Sequence, residues 1–128
     1  MTPSLYETIS QGSTLMSITA RKAQEECDNP EKVKFYAEVL QKTVKSLLKV
    51  PDDNFTSEGV QRYKTVLSEI DTAAKQLSEK CNDSENVMEI TGRDLKPLFI
   101  QLGDIFKSER PEIRGKSFWE TIKEHFKK

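Results

Sequence analysis

Val60, Tyr63, Leu67, Ile70, Ala74, Leu77 and Cys81 recur at alternating steps of three and four residues. That spacing holds all seven on one face of an α-helix of about 3.6 residues per turn. A helix with one apolar face needs partners to cover it, and the rest of the chain carries comparable stripes. Leu5, Ile9, Gly12, Met16, Thr19/Ala20, Ala23 and Cys27 predict a helix over 4–27. This first helix is rich in Ser and Thr, and an interior glycine costs about 1 kcal/mol relative to Ala, so it is expected to be the least stable. Val33, Ala37, Leu40, Val44 and Leu47, widened by Tyr36 and Leu48, predict a second helix over 31–50. The opening stripe predicts a third, from Thr56 or Ser57 to Cys81. Leu95, Leu98, Leu102 and Ile105, with Phe99 and Phe106, predict a fourth.

The connections read as helix ends. In Asp28-Asn29-Pro30, Asn29 can cap free amides and Pro30 suits the first helical position. Pro51-Asp52-Asp53-Asn54 is a turn cluster. Asn82 to Asn86 is a polar break, and Val87-Met88-Glu89-Ile90 predicts a single helical turn over the bundle end. Thr91-Gly92-Arg93-Asp94 resembles a capping box, and Pro97 is tolerable only in a first turn. Ser108-Glu109-Arg110-Pro111 ends the fourth helix. A short fifth helix follows Gly115-Lys116-Ser117, with Phe118, Trp119, Ile122 and Phe126 on its apolar face. Four long helices with short connections predict an all-α fold, an antiparallel four-helix bundle over 1–109, with an added C-terminal amphipathic helix over 110–128.

Composition agrees with this picture and narrows the function. The chain has 128 residues, 35% hydrophobic and 32% charged, which suits one domain with charged outer faces and is too apolar for disorder. No run approaches the roughly 20 apolar residues that span a bilayer. The start, Met1 to Glu7, lacks a secretory pattern, and an intracellular protein is expected. Two cysteines, Cys27 and Cys81, are too few for a disulfide framework and fall on or near core stripes, where they read as small hydrophobes; an oxidised pair joining two helices is the alternative. The single histidine, His125, without a His/Cys cluster, argues against a zinc site. There is no glycine-rich phosphate loop, nucleophile elbow or His-Glu-x-x-His pattern. The adjacent acids Glu25-Glu26 and Asp52-Asp53 lie at a helix end and in a turn, where acids are ordinary. A non-enzyme with no cofactor is the expectation.

Charge is uneven. Residues 31–50 carry five lysines against Glu31 and Glu38, and residues 110–128 carry six basic groups against three glutamates; each segment is +3 in a chain of net charge −1. Lys42, Lys45 and Lys49, with Lys34, fall to one side of the second helix's core stripe. Such a face reads either as solvated surface or as a site for phospholipid head groups, where each lysine contributes about 1 kcal/mol. In the tail, Lys116, Lys123 and Lys127 flank the aromatic face and Arg114 precedes it. A basic amphipathic helix of this kind lies at a membrane interface, docks in a groove, or packs across its own bundle. With so few basic groups and aromatics in core positions, nucleic acid is not expected as a partner.

The order and spacing resemble the N-terminal four-helix bundle of the mixed lineage kinase domain-like family, the executioners of necroptosis, related to the fungal HeLo cell-death domains. The resemblance runs best from Lys42 to Lys107. Val44-Lys45-Ser46-Leu47-Leu48-Lys49 precedes a turn, and Ser57 to Ile70 is similar to the family's third helix. The break at Asn82-Asp83-Ser84, the short Val87 to Thr91 piece and Asp94 to Lys107 follow in the same order, with residues 110–128 at the position of the family's brace. The resemblance implies a cytoplasmic domain held inactive by a kinase or pseudokinase domain in the same or another chain, or by its own C-terminal helix. On activation it would self-associate and bind and permeabilise anionic phospholipid membranes. The lipid-contact residues are then Lys34, Lys42, Lys45, Lys49, Arg114, Lys116, Lys123 and Lys127, with Phe118, Trp119, Ile122 and Phe126 as the interface or inserting set. The alternative is a signalling adaptor or scaffold that binds a partner's amphipathic helix.

Overall fold

A computed structural model describes residues 5–49 and 56–108, and these form helices and tight turns with no strand among them. The helices are α1 (Leu5–Glu25), α2 (Pro30–Leu48), α3 (Ser57–Glu79), α4 (Ser84–Glu89) and α5 (Lys96–Ser108), with a π-helical turn, Ile90–Leu95, joining α4 to α5. The fifth amphipathic helix expected over 110–128, and the turn at 51–54, lie outside the described residues.

Local chemistry sets the helix starts. The Asn29 side chain accepts the Lys32 amide at 3.3 Å and Pro30 takes the first turn of α2, which relieves one of the four orphan amides there. Thr56 accepts the Gly59 amide at 3.0 Å to open α3. Asp83 accepts the amides of Glu85 and Asn86 at 3.0 and 3.3 Å to open α4.

The stripes meet in one core. Ile9 and Met16 of α1, Leu40 and Leu47 of α2, Leu67, Ile70 and Leu77 of α3, and Leu95, Leu102 and Ile105 from the π turn onward are all fully buried. α1 packs on α2, α2 on α3, α3 on α5, and α5 returns to α1. The core is therefore shared by every long helix rather than held by one pair. Leu5 and Phe106, also expected in the core, lie outside the described side chains.

Two contacts tie α2 to its neighbours. At its N-terminal end, Glu26 accepts Lys32 Nζ at 2.8 Å and the Tyr36 hydroxyl. The hydrogen bond from Lys32, then that from Tyr36, holds the Glu26 carboxyl below the usual carboxylate range. The same bonds raise Lys32 and Tyr36 above their ordinary values. A lowered carboxyl contributes stability above its unfolded pKa and loses that contribution as pH falls through the folded value. Acidification below the usual carboxylate range is therefore expected to open this α1–α2 clasp. Carbon-detected NMR titration should place Glu26 below the usual carboxylate range in wild type, and Glu26→Gln should abolish the acid-side change at the Tyr36 ring.

At the other end, the buried Tyr63 hydroxyl donates to the Leu47 carbonyl at 3.0 Å. Leu47 lies in the last turn of α2, where carbonyls lack the intrahelical donor four residues on. Burial raises the Tyr63 phenol above its ordinary value, so it stays protonated as a donor. Tyr63→Phe is expected to cost about 1 kcal/mol, read as a lower urea midpoint at unchanged m.

One sequence expectation is corrected. Thr91 does not open a helix. Its buried side chain bonds backward, to the carbonyls of Val87 at 2.9 Å and Met88 at 3.2 Å. Asp83 has already capped the segment, and the chain runs helically from Ser84 to Ser108. Pro97 is the second residue of α5, in its first turn as expected, and the π turn before it lets the helical run continue into it. A proline removes one amide and its ring crowds the carbonyl four residues back. Widening the preceding turn re-pairs the Lys96 amide with Thr91, five residues back. Gly12, a weak point on helix propensity alone, also sits close against α2: a Cβ there would stand 2.8 Å from Leu47 Cδ2.

Candidate functional site

The geometry of α2 follows from its buried row. Val33, Ala37, Leu40, Val44 and Leu47 face the core, so positions half a turn away face solvent. Lys34, Lys42, Lys45 and Lys49 are all exposed. None of the four has a carboxylate partner among the described residues. Lys32 is different, because Glu26 holds it at 2.8 Å. The structure thus divides the five lysines of the segment into one clasp residue and four unpaired surface cations.

Lys42, Lys45 and Lys49 lie within two turns, about 10 Å along the axis at 1.5 Å per residue. Lys34 stands two turns before Lys42. All four side chains are open to water. They can act as point charges toward phosphate or carboxylate groups. Among the described residues no group of three or more His, Cys, Asp and Glu side chains could hold a metal ion. Cys27 is half-buried, Cys81 is buried, and both are free thiols. Arg114, Lys116, Lys123 and Lys127, and the apolar set Phe118, Trp119, Ile122 and Phe126, lie outside the described residues.

Two features escape a reading of the sequence alone. Phe35 is 58% exposed on the same outer side of α2, with its ring edge-on to Tyr36 at 5.8 Å between centroids. A signal for it exists, since Phe35 falls seven residues before Lys42, on the same face. The second is an open groove between α1 and α5, lined by Ser13, Thr14, Ser17, Ile18, Lys96, Phe99 and Ile100. Ile18 and Ile100 are 48% and 58% exposed there. No periodicity argument within one helix could find it, because it is made by two helices far apart in sequence.

No protein-family model matches the chain, and neither a curated protein nor a solved structure matches it.

Proposed function

We propose that this chain is a non-catalytic, membrane-targeting module of the cell-death type. Its helices form an antiparallel four-helix bundle, and residues 110–128 add a brace-like amphipathic helix. The observation that carries the reading is the group of four exposed lysines on α2 without acidic partners among the described residues. Such a face costs repulsion within one helix and gains most beside an anionic surface, where each lysine contributes about 1 kcal/mol. In this reading the protein waits in the cytoplasm and meets anionic phospholipid through Lys34, Lys42, Lys45 and Lys49. Arg114, Lys116, Lys123 and Lys127 add to the contact, and Phe118, Trp119, Ile122 and Phe126 enter the interface. Self-association on the membrane then precedes permeabilisation, under the control of an associated kinase-like domain or of the C-terminal helix.

Among the described residues no helix is long and apolar enough to cross a membrane. The proposed engagement is therefore interfacial, of the kind amphipathic basic surfaces make. The test is co-sedimentation with vesicles containing phosphatidylinositol phosphate, against neutral phosphatidylcholine vesicles. Binding to the first alone, weakening steeply with salt, supports the reading. Equal behaviour with both overturns it.

A second reading rests on the α1–α5 groove. Half-exposed Ile18 and Ile100 beside Phe99 form an apolar strip with a hydroxyl rim and Lys96 at its edge. An adaptor would use such a strip to seat a partner's amphipathic helix. This reading requires neither the lysine face nor lipid.

A further inference from the structure

The outer face of α2 carries a second pattern. Glu31, Phe35, Glu38, Lys42, Lys45 and Lys49 follow one another at steps of four, three, four, three and four. All six are exposed, and they run along the side opposite the buried row. The first half of this seam is acidic and aromatic, and the second half is basic. None of its five charged side chains is ion-paired among the described residues.

The seam is self-complementary when reversed. Glu31 and Lys49 are equally far from position 40, and so are Phe35 and Lys45, and Glu38 and Lys42. We infer that two copies of this chain associate through antiparallel α2 helices about a two-fold axis near position 40. Glu31 then meets Lys49 of the second copy, Glu38 meets Lys42, and Phe35 meets Lys45. By symmetry each contact occurs twice, as an isologous interface requires. The dyad gives four opposite-charge pairs and two ammonium–ring contacts, the latter a favourable use of an exposed aromatic. A parallel pairing sets Glu against Glu and Lys against Lys and is disfavoured. The step pattern also keeps one seam facing its partner along five turns, as in paired helices generally.

One helix pair buries less area than a permanent dimer needs. The association is therefore weak, concentration-dependent and salt-sensitive. It covers Lys42, Lys45 and Lys49, three of the four α2 lysines that the proposed function assigns to lipid, so the dimer is a resting form that an anionic membrane competes apart. This resting dimer is distinct from the self-association proposed on the membrane, and only its competition with lipid rests on the proposed function.

The test is sedimentation velocity over a concentration series at low salt. Wild type should self-associate. Glu31→Lys with Glu38→Lys makes the seam wholly basic, and Lys42→Glu with Lys49→Glu makes it predominantly acidic. Each double variant alone should weaken association by about tenfold or more. Mixed in equal amounts, the two should form a heterodimer. The fourfold charge swap should restore the homodimer, which a parallel pairing does not explain. Circular dichroism checks that each variant keeps its helices. A wild type that stays monomeric at every concentration overturns the seam, as does a mixture of the double variants without association. The basic variant separates the two proposals, because it should lose the dimer yet bind anionic vesicles more tightly than wild type. Dimerisation through the seam without vesicle binding would overturn the membrane reading alone.

Discussion

Lys42→Glu, Lys45→Glu and Lys49→Glu together should lower affinity for anionic vesicles by about three to four orders of magnitude at low salt. Each lysine near an anionic surface contributes about 1 kcal/mol, and reversing its charge replaces attraction by repulsion of similar size. Three reversals therefore cost roughly 4 to 6 kcal/mol, and about 1.4 kcal/mol is a factor of ten in affinity. Screening over a Debye length of about 8 Å at physiological salt shrinks the effect. The fold should survive, because all three side chains are exposed and Glu and Lys have similar helix propensities. Placing acids in the last turn of α2 costs about 0.3–1 kcal/mol against the helix dipole. The matching change to glutamine removes attraction without adding repulsion and should fall midway on a logarithmic scale. Co-sedimentation across a salt series reads all three proteins. Unchanged binding by the triple glutamate variant would remove α2 from the mechanism.

The helical class is legible in the sequence because it rests on periodicity. Most of the α2 and α3 stripes are buried, with Val33, Ala37, Leu40, Val44 and Leu47 in the core, and likewise Tyr63, Leu67, Ile70, Ala74 and Leu77; Val60 and Tyr36 are only partly buried, and Leu48, expected to widen the α2 stripe, is 42% exposed. Asn29 and Thr56 cap the helices their positions predict. Legibility ends where two elements jointly decide the outcome. Thr91-Gly92-Arg93-Asp94 has the residues of a capping box, but a cap is needed only where a helix begins, and Asp83 has already begun it. Pro97 does fall in the first turn of α5, but the widened turn before it, which keeps the helix running, is not written in its position. In the candidate site, exposure of the four α2 lysines follows from their angular distance from the stripe. Their lack of partners does not follow, because i,i+4 spacing also offers Glu38 to Lys42 and to Lys34. The selective capture of Lys32 by Glu26 depends on how α1 and α2 meet. The α1–α5 groove depends on a helix pairing that no single stripe encodes.

Gly12→Val should destabilise the protein by about 2 to 3 kcal/mol, although valine is the better helix former. The gain in propensity over glycine is a few tenths of a kcal/mol. Against it stands Leu47, only 1% exposed. An added Cβ at position 12 would lie 2.8 Å from Leu47 Cδ2 and 3.2 Å from Cδ1 and Cγ, before either valine methyl is counted. Leu47 has no solvent side to turn toward, and Tyr63 anchors its carbonyl. Relief must come from parting α1 and α2, and overpacking of this kind costs about 1–3 kcal/mol. Gly12→Ala sets a propensity gain of about 1 kcal/mol against the single close Cβ contact and should come out near neutral. Gly103 is the control. It lies within α5, and a methyl added there would meet nothing within 4 Å, so Gly103→Ala should stabilise by about 0.5–1 kcal/mol. Leu47→Ala alone should cost about 2–5 kcal/mol through the cavity it leaves. Combined with Gly12→Val, it opens the space that valine needs, so the double variant should be more stable than the sum predicts by about 1 kcal/mol or more, on the order of coupling expected for touching residues. Urea titrations of the five variants give each value directly. Additive losses in the double variant would mean that Gly12 and Leu47 do not share the contact, and that the close approach of α1 to α2 is not what requires glycine at position 12.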